Sequence, residues 1–221
     1  MLAGSTESMR VLIGIVGHSP ILDRYPLGPL LMQDLQSRDW GAMIVDIENM
    51  TWSPIHVTQR LQDHQKSYDR TVLIGSSAGC LKPGNVAVYR WLGGEMSTLK
   101  LQDRIYEGVT GVVSLENTLV IGDYFKVWPN EVFTVEIDLP GDTFGEIVMA
   151  ENIGLKSEAN LKDILGFDPN TARKRIADLA CCVAQHGTTK IEKILDKSVN
   201  DLVDSELFTK YEFKQYLNYV N

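Results

Sequence analysis

Paired cysteines, long apolar runs and clusters of basic residues are all scarce in this chain of 221 residues. The three cysteines, Cys80, Cys181 and Cys182, are odd in number and lack the paired spacing of a metal site, which indicates reduced thiols in a cytoplasmic protein. No apolar run is long enough to cross a bilayer, and residues 1–8 resemble a flexible lead-in rather than a signal peptide. A formal net charge of -8 opposes nonspecific binding to nucleic acid. We therefore expect a cytoplasmic protein that binds neither membranes nor nucleic acid.

Short β-branched apolar runs, several of them ending in glycine, predict the strands of a sheet that is buried on both faces. The predicted strands cover 10–16, 42–47, 71–75, 85–91 and 131–137. Because a short turn at Lys82, Pro83 and Gly84 precedes the fourth strand, we expect the third and fourth strands to pair antiparallel. The predicted sheet is mostly parallel and mixed.

Helical spacing of apolar or polar residues fills the segments between these strands. It predicts a first helix after Pro26, a second over 55–65 and a third over 110–126. Asp168 and Pro169 are typical of a helix start, and this last helix should run to about residue 185. Its predicted buried stripe, which makes Cys181 and Cys182 packing residues, consists of Ala172, Ile176, Leu179, Ala180 and Val183. Alternating strands and helices predict a three-layer α/β/α sandwich.

The chain divides into one α/β domain over 9–186 and an extension over 187–221. Apolar residues at helical spacing predict that the extension is helical, and it is too apolar for a disordered tail. Two interpretations stay open. The extension either folds back over the α/β core, or it serves as a partner-binding or homodimerisation element whose apolar face needs a covering surface.

Two arrangements in the sequence suggest chemistry. Residues 75–79 match G-x-S-x-G, the turn that exposes a nucleophilic serine, so Ser77 is a candidate nucleophile. The turn at 82–84 stands where the helix of such an elbow belongs, and His186 is the one histidine downstream. His18, next to the first strand, is the histidine best placed for chemistry, whereas His56 and His64 should face solvent.

Four segments, taken in order, resemble the nickel-iron hydrogenase maturation proteases, the endopeptidases that trim the C-terminus of the hydrogenase large subunit. The likeness extends over residues 9–185 and implies a phosphorylase/hydrolase-like α/β sandwich. The segments are the opening strand and glycine turn at 10–17, the acid-containing loop from Asp23 to Pro29, the strand at 69–74 and the Pro-Gly return strand at 83–86.

The resemblance implies a nickel site formed by two acids and one histidine, but most of these ligand types are replaced here. Asp23 is the one retained acid candidate, and Arg24 follows it. Ser76 stands where the second acid should end the third strand, and Gly111 stands where the histidine should begin a helix. A hydroxyl does not replace a carboxylate as a charged ligand, and a guanidinium repels a cation. The implied pocket consists of His18, Asp23, Arg24, Ser76, Ser77 and Gly111.

Three functional hypotheses follow. The first is a maturation-protease-like protein without cofactor or metal-dependent activity, which binds a partner such as a hydrogenase large subunit or another protein C-terminus. The second is an active maturation endopeptidase whose nickel ligands come from shifted positions such as His18, Asp23 and Asp46. The third is a serine hydrolase that uses Ser77.

Overall fold

The computed structural model describes residues 8–20, 22–63, 67–76, 82–91, 97–140, 158–194 and 216–218. These residues form six strands: β1 (Arg10–Val16), β2 (Ile44–Met50), β3 (Arg70–Ser76), β4 (Val86–Trp91), β5 (Glu131–Ile137) and β6 (Tyr216–Asn218). They also form six helices: α1 (Pro29–Gln36), α2 (Pro54–Asp63), α3 (Thr98–Val109), α4 (Leu115–Tyr124), α5 (Glu158–Leu165) and α6 (Pro169–Ile194).

All six strands join one sheet in the order β2-β1-β3-β5-β4-β6. The pairs β1–β2, β1–β3 and β3–β5 are parallel, whereas β4 is antiparallel to both β5 and β6. Helices cover both faces, so the predicted α/β sandwich with a mostly parallel mixed sheet is confirmed.

The predicted pairing of the third and fourth strands is wrong. Strand β5 lies between β3 and β4, and Ile137 is in register with Ser76 on one side and Val86 on the other. The connection over 77–85 is longer than a tight hairpin turn, so it has the reach to cross an intervening strand.

Alternating side chains of the central strands divide the core into two layers. On one face Ile13, Val72 and Phe133 pack with the apolar sides of α1, α5 and α6. On the other face Leu12, Leu73 and Val132 pack with α2 and α4, and α3 lies against both of those helices.

The long helix α6 confirms the predicted buried stripe. Its stripe residues are all buried: Ala172, Ile176, Leu179, Ala180 and Val183. Asp168 accepts a hydrogen bond from the backbone N–H of Thr171 at 3.0 Å, as the predicted helix start requires. Burial raises the pKa of the Cys181 and Cys182 thiols, which opposes thiolate formation at neutral pH.

The helix predicted over 110–126 is shorter than expected. Gly111 has a φ of +92°, and Ser114 caps a helix that begins at Leu115. The sequence prediction also missed α3, which ends at Val109. In the predicted helical extension over 187–221, α6 continues to Ile194 after a non-helical Gly187, and residues 216–218 form strand β6 rather than helix. Among the described residues, no helix is both long and apolar enough to span a membrane.

Candidate functional site

The carboxyl ends of β1, β3 and β5 lie side by side near the middle of the sheet. Ile15 of β1 is in register with Ile74 of β3, and Ser76 of β3 is in register with Ile137 of β5. His18 follows β1 after one glycine, and Ser76 is the exposed last residue of β3. The ends of parallel strands are where open α/β sheets bind ligands. His18 and Ser76 therefore belong to the same edge of the sheet.

The start of helix α4 reaches this edge from one face of the sheet. A Cβ placed on Gly75 would meet the side chain of Leu115, the first residue of α4, at 3.4 Å. Ser114 caps the helix by accepting a hydrogen bond from the backbone N–H of Asn117 at 3.0 Å. Gly111 lies three residues before this cap and is exposed. The α3–α4 loop that contains Gly111 is therefore next to the end of β3.

His18 and Ser19 are polar residues buried at the end of β1. The His18 side chain is 8% exposed and that of Ser19 is 4% exposed. Within the part of the chain that the structure describes, the Nδ1 and Nε2 atoms of His18 and the Oγ atom of Ser19 have no hydrogen-bond partner. Burial lowers the pKa of His18 because it disfavours the imidazolium. An unsatisfied buried polar group is costly, so these three atoms mark a place that suits a ligand.

The loop after Ser19 has a base of buried, hydrogen-bonded residues and an exposed tip. The backbone N–H of Ser19 donates to the carbonyl of Leu27 at 3.2 Å, and the N–H of Tyr25 donates to the carbonyl of Leu22 at 3.0 Å. Leu22, Tyr25 and Leu27 are buried, and burial raises the pKa of Tyr25 to about 12. Asp23 and Arg24 are exposed between them. A carboxylate and a guanidinium thus stand on a loop whose base is fixed.

Asp46 is not at this edge. It is in register with Leu12, four residues before the end of β1, which corresponds to roughly 13 Å along a parallel strand. Its carboxylate accepts a hydrogen bond from Tyr68 at 3.0 Å and pairs with Arg10 at 3.1 Å. The hypothesis of a nickel site with Asp46 and His18 as shifted ligands is therefore wrong, because the two residues are not brought together.

The remaining candidate residues are distributed as follows. His56 lies on α2, is exposed and contacts the ring of Trp52, with 5.7 Å between ring centroids. Ser77, His64 and Cys80 lie outside the described residues. Within the described ranges, no three His, Cys, Asp or Glu side chains are grouped closely enough to hold a metal ion.

Two acids at the end of β5 are buried, which the sequence did not predict. Glu136 and Asp138 are 1% and 3% exposed, and the Thr134 hydroxyl donates to Glu136 Oε1 at 2.7 Å. The backbone N–H of Asp138 donates to the carbonyl of Asn85 at 3.0 Å. The available signal was Glu136, an acid near the end of the mostly apolar strand EVFTVEI. Because β3 separates β5 from β1, two strand spacings, about 10 Å, lie between these acids and the His18 side of the edge.

Comparison with solved structures finds a distant likeness over part of the chain. The chain is similar to a hydrogenase 2 maturation peptidase from Thaumarchaeota archaeon SCGC_AB-539-E09, with 16% sequence identity and a TM-score of 0.32. The match covers 67% of this chain and 100% of the other. No protein-family model matches the chain, and no curated protein sequence is significantly similar to it.

Proposed function

We propose that this protein is a binding protein with a maturation-protease-like sandwich, and that it recognises the C-terminal carboxylate of a protein partner. The observation that carries the proposal is the buried pair His18 and Ser19, whose side-chain polar atoms lack partners among the described residues. Imidazole and hydroxyl groups both donate hydrogen bonds, and a carboxylate accepts several at once.

One of the two charges on the loop beside the pair, Arg24, favours an anionic ligand, and the other, Asp23, opposes it. Arg24 stands exposed on the loop that starts at His18, and a guanidinium recognises a carboxylate through two parallel hydrogen bonds. Ser76 adds an exposed hydroxyl at the end of the neighbouring strand. The buried acids Glu136 and Asp138 lie on the far side of β3, so they repel the anion least if it binds on the β1 side.

Binding of a short peptide tests the proposal. A hexapeptide with a free C-terminal carboxylate should bind about tenfold more tightly, measured by calorimetry, than the same peptide with an amidated terminus. His18→Ala and Arg24→Gln should each remove most of that preference. Arg60→Gln is the matched control, because Arg60 lies on α2 and pairs with Glu48 at 3.1 Å.

Two results would contradict the proposal. Equal affinity for the acid and amide peptides would show that the protein does not recognise the C-terminal carboxylate. A stoichiometric, submicromolar response to nickel or cadmium, together with trimming of a nickel-loaded hydrogenase large-subunit precursor, would establish the metal-dependent endopeptidase instead.

A further inference from the structure

Three successive turns lead from the loop after Ser19 into helix α1. The backbone N–H groups of Tyr25, Gly28 and Leu31 each donate to the carbonyl three residues earlier, at 3.0, 2.8 and 3.0 Å. Each turn therefore starts at the residue where the preceding turn ends, and the last of them opens α1. The loop segment 22–28 thus continues the helix backwards toward the candidate site.

Two prolines stiffen these turns. Pro26 and Pro29 each occupy the second position of a turn, for which the φ angle that the pyrrolidine ring fixes is well suited. A proline that fits its native conformation lowers the conformational entropy lost on closing the chain. We therefore expect one closed conformation of this segment in the unliganded protein.

Gly28 is packed against the backbone of the loop. A Cβ placed on it would lie 2.3 Å from the carbonyl oxygen of Leu22 and 2.9 Å from that of Tyr25. It would also lie 3.2 Å from the carbonyl oxygen of Asp23. The φ of Gly28 is -92°, which any residue adopts, so glycine is needed here for steric reasons. Because the contacted atoms are backbone, no change of side-chain rotamer would relieve the clash.

A hydrogen bond ties the closed segment to the end of β1. The backbone N–H of Ser19 donates to the carbonyl of Leu27, the residue before Gly28, at 3.2 Å. Leu27 is itself buried in the core layer that contains α1. A displacement of Gly28 therefore moves the hydrogen-bond partner of Ser19, and with it the buried pair His18 and Ser19.

We infer that Gly28 is a positioning residue of the candidate site: its missing side chain lets the segment 22–28 close, and the closed segment holds His18 and Ser19 in place. The same closure fixes the loop on which Arg24 is exposed. Groups that are arranged before the ligand arrives bind it at a lower entropic cost. The consequence for carboxylate binding rests on the proposed function, whereas the effect of Gly28 on His18 does not.

Gly28→Ala tests the inference with the full chain. Hydrogen exchange of the Ser19 amide, measured by NMR, should become at least about tenfold faster, while the amide of Ile13 in the core stays protected. The pKa of His18 should rise toward 6.5 as the imidazole becomes hydrated, and His18→Gln assigns its signal. In calorimetry, the hexapeptide with a free carboxylate should lose most of its advantage over the amidated peptide.

Gly41→Ala is the matched control. Gly41 has a φ of +61°, and a Cβ there would meet nothing within 4 Å, so the change strains the backbone without displacing a neighbour. Gly41 precedes β2, at the opposite edge of the sheet from the candidate site. This variant should alter neither the exchange of the Ser19 amide nor the pKa of His18.

The outcomes separate this inference from the proposed function. Unchanged Ser19 exchange and an unchanged pKa of His18 in Gly28→Ala would overturn the inference, even where the unaltered protein prefers the free carboxylate. Equal binding of the acid and amide peptides by the unaltered protein would contradict the proposed function, and the two NMR measurements would still decide the role of Gly28. If Gly28→Ala does not fold, the unaltered protein decides. Ser19 and Gly28 amides as protected as the core would support the closed segment, and rapid exchange of both would overturn it.

Discussion

The burial of His18 in the candidate site makes the stability of the fold depend on pH. Burial lowers the pKa of His18 from its ordinary value of 6.5, so just below pH 6.5 the unfolded chain binds a proton that the folded protein does not. Stability should therefore fall as the pH drops from about 6.5 toward the lowered pKa, below which the loss is complete. His18→Gln should flatten this part of the pH dependence of the free energy of unfolding, measured by urea denaturation.

The slope of this pH dependence decides the prediction. An identical slope for His18→Gln and the unaltered protein would contradict the prediction, because it would mean that His18 titrates alike in the folded and unfolded states.

At the scale of elements, an arginine from the sheet holds α6 just before the break at Gly187. Arg70 of β3 donates to the carbonyls of Val183 and Ala184, the first at 3.3 Å, and its Nε donates to Glu131 at 2.8 Å. The helix breaks at Gly187, whose φ of +53° and close approach to Arg70 both suit glycine. The guanidinium thus satisfies carbonyls that a helix end leaves open.

Arg70→Met should lower the free energy of unfolding by about 2–4 kcal/mol, because it removes a nearly buried charge pair and two carbonyl contacts together. Arg60→Met, which breaks the more exposed pair with Glu48, should cost about 0–1 kcal/mol. Urea denaturation of both variants measures the difference. Similar losses for the two would mean that the contacts of Arg70 before the break in α6 contribute little.

The sequence predicts those elements that form through local side-chain patterns, and it does not predict those placed by tertiary contacts. The stripe of α6 and the apolar run of β1 follow from side-chain periodicity, which is local. The insertion of β5 between β3 and β4 depends on which edge of β3 the later chain meets, and local periodicity does not show that. The burial of His18 likewise depends on the loop folding back so that Ser19 bonds to Leu27, a tertiary contact that periodicity does not show.

At the scale of the whole molecule, chemistry-bearing residues and exposed apolar residues meet at one end of the sandwich. His18, Ser76 and Gly111 lie at the carboxyl edge of the sheet, and the start of α2 and the end of α3 bring the exposed residues Trp52, Val109 and Val112 to the same end. Parallel topology explains this, since every helix that follows a parallel strand begins at that edge.

Strand β6 forms one edge of the sheet, and β2 forms the other. Strand β6 pairs with β4 through the positions Tyr89, Arg90 and Trp91, so it covers backbone groups that an edge strand would expose. Deleting residues 195–221 should lower the free energy of unfolding and cause concentration-dependent aggregation, measured by urea denaturation and light scattering. Leu217→Pro in the full chain, which removes a backbone N–H from β6, should act in the same direction but less strongly. A truncated chain that stays monomeric and equally stable would instead favour a role for the extension in binding a partner.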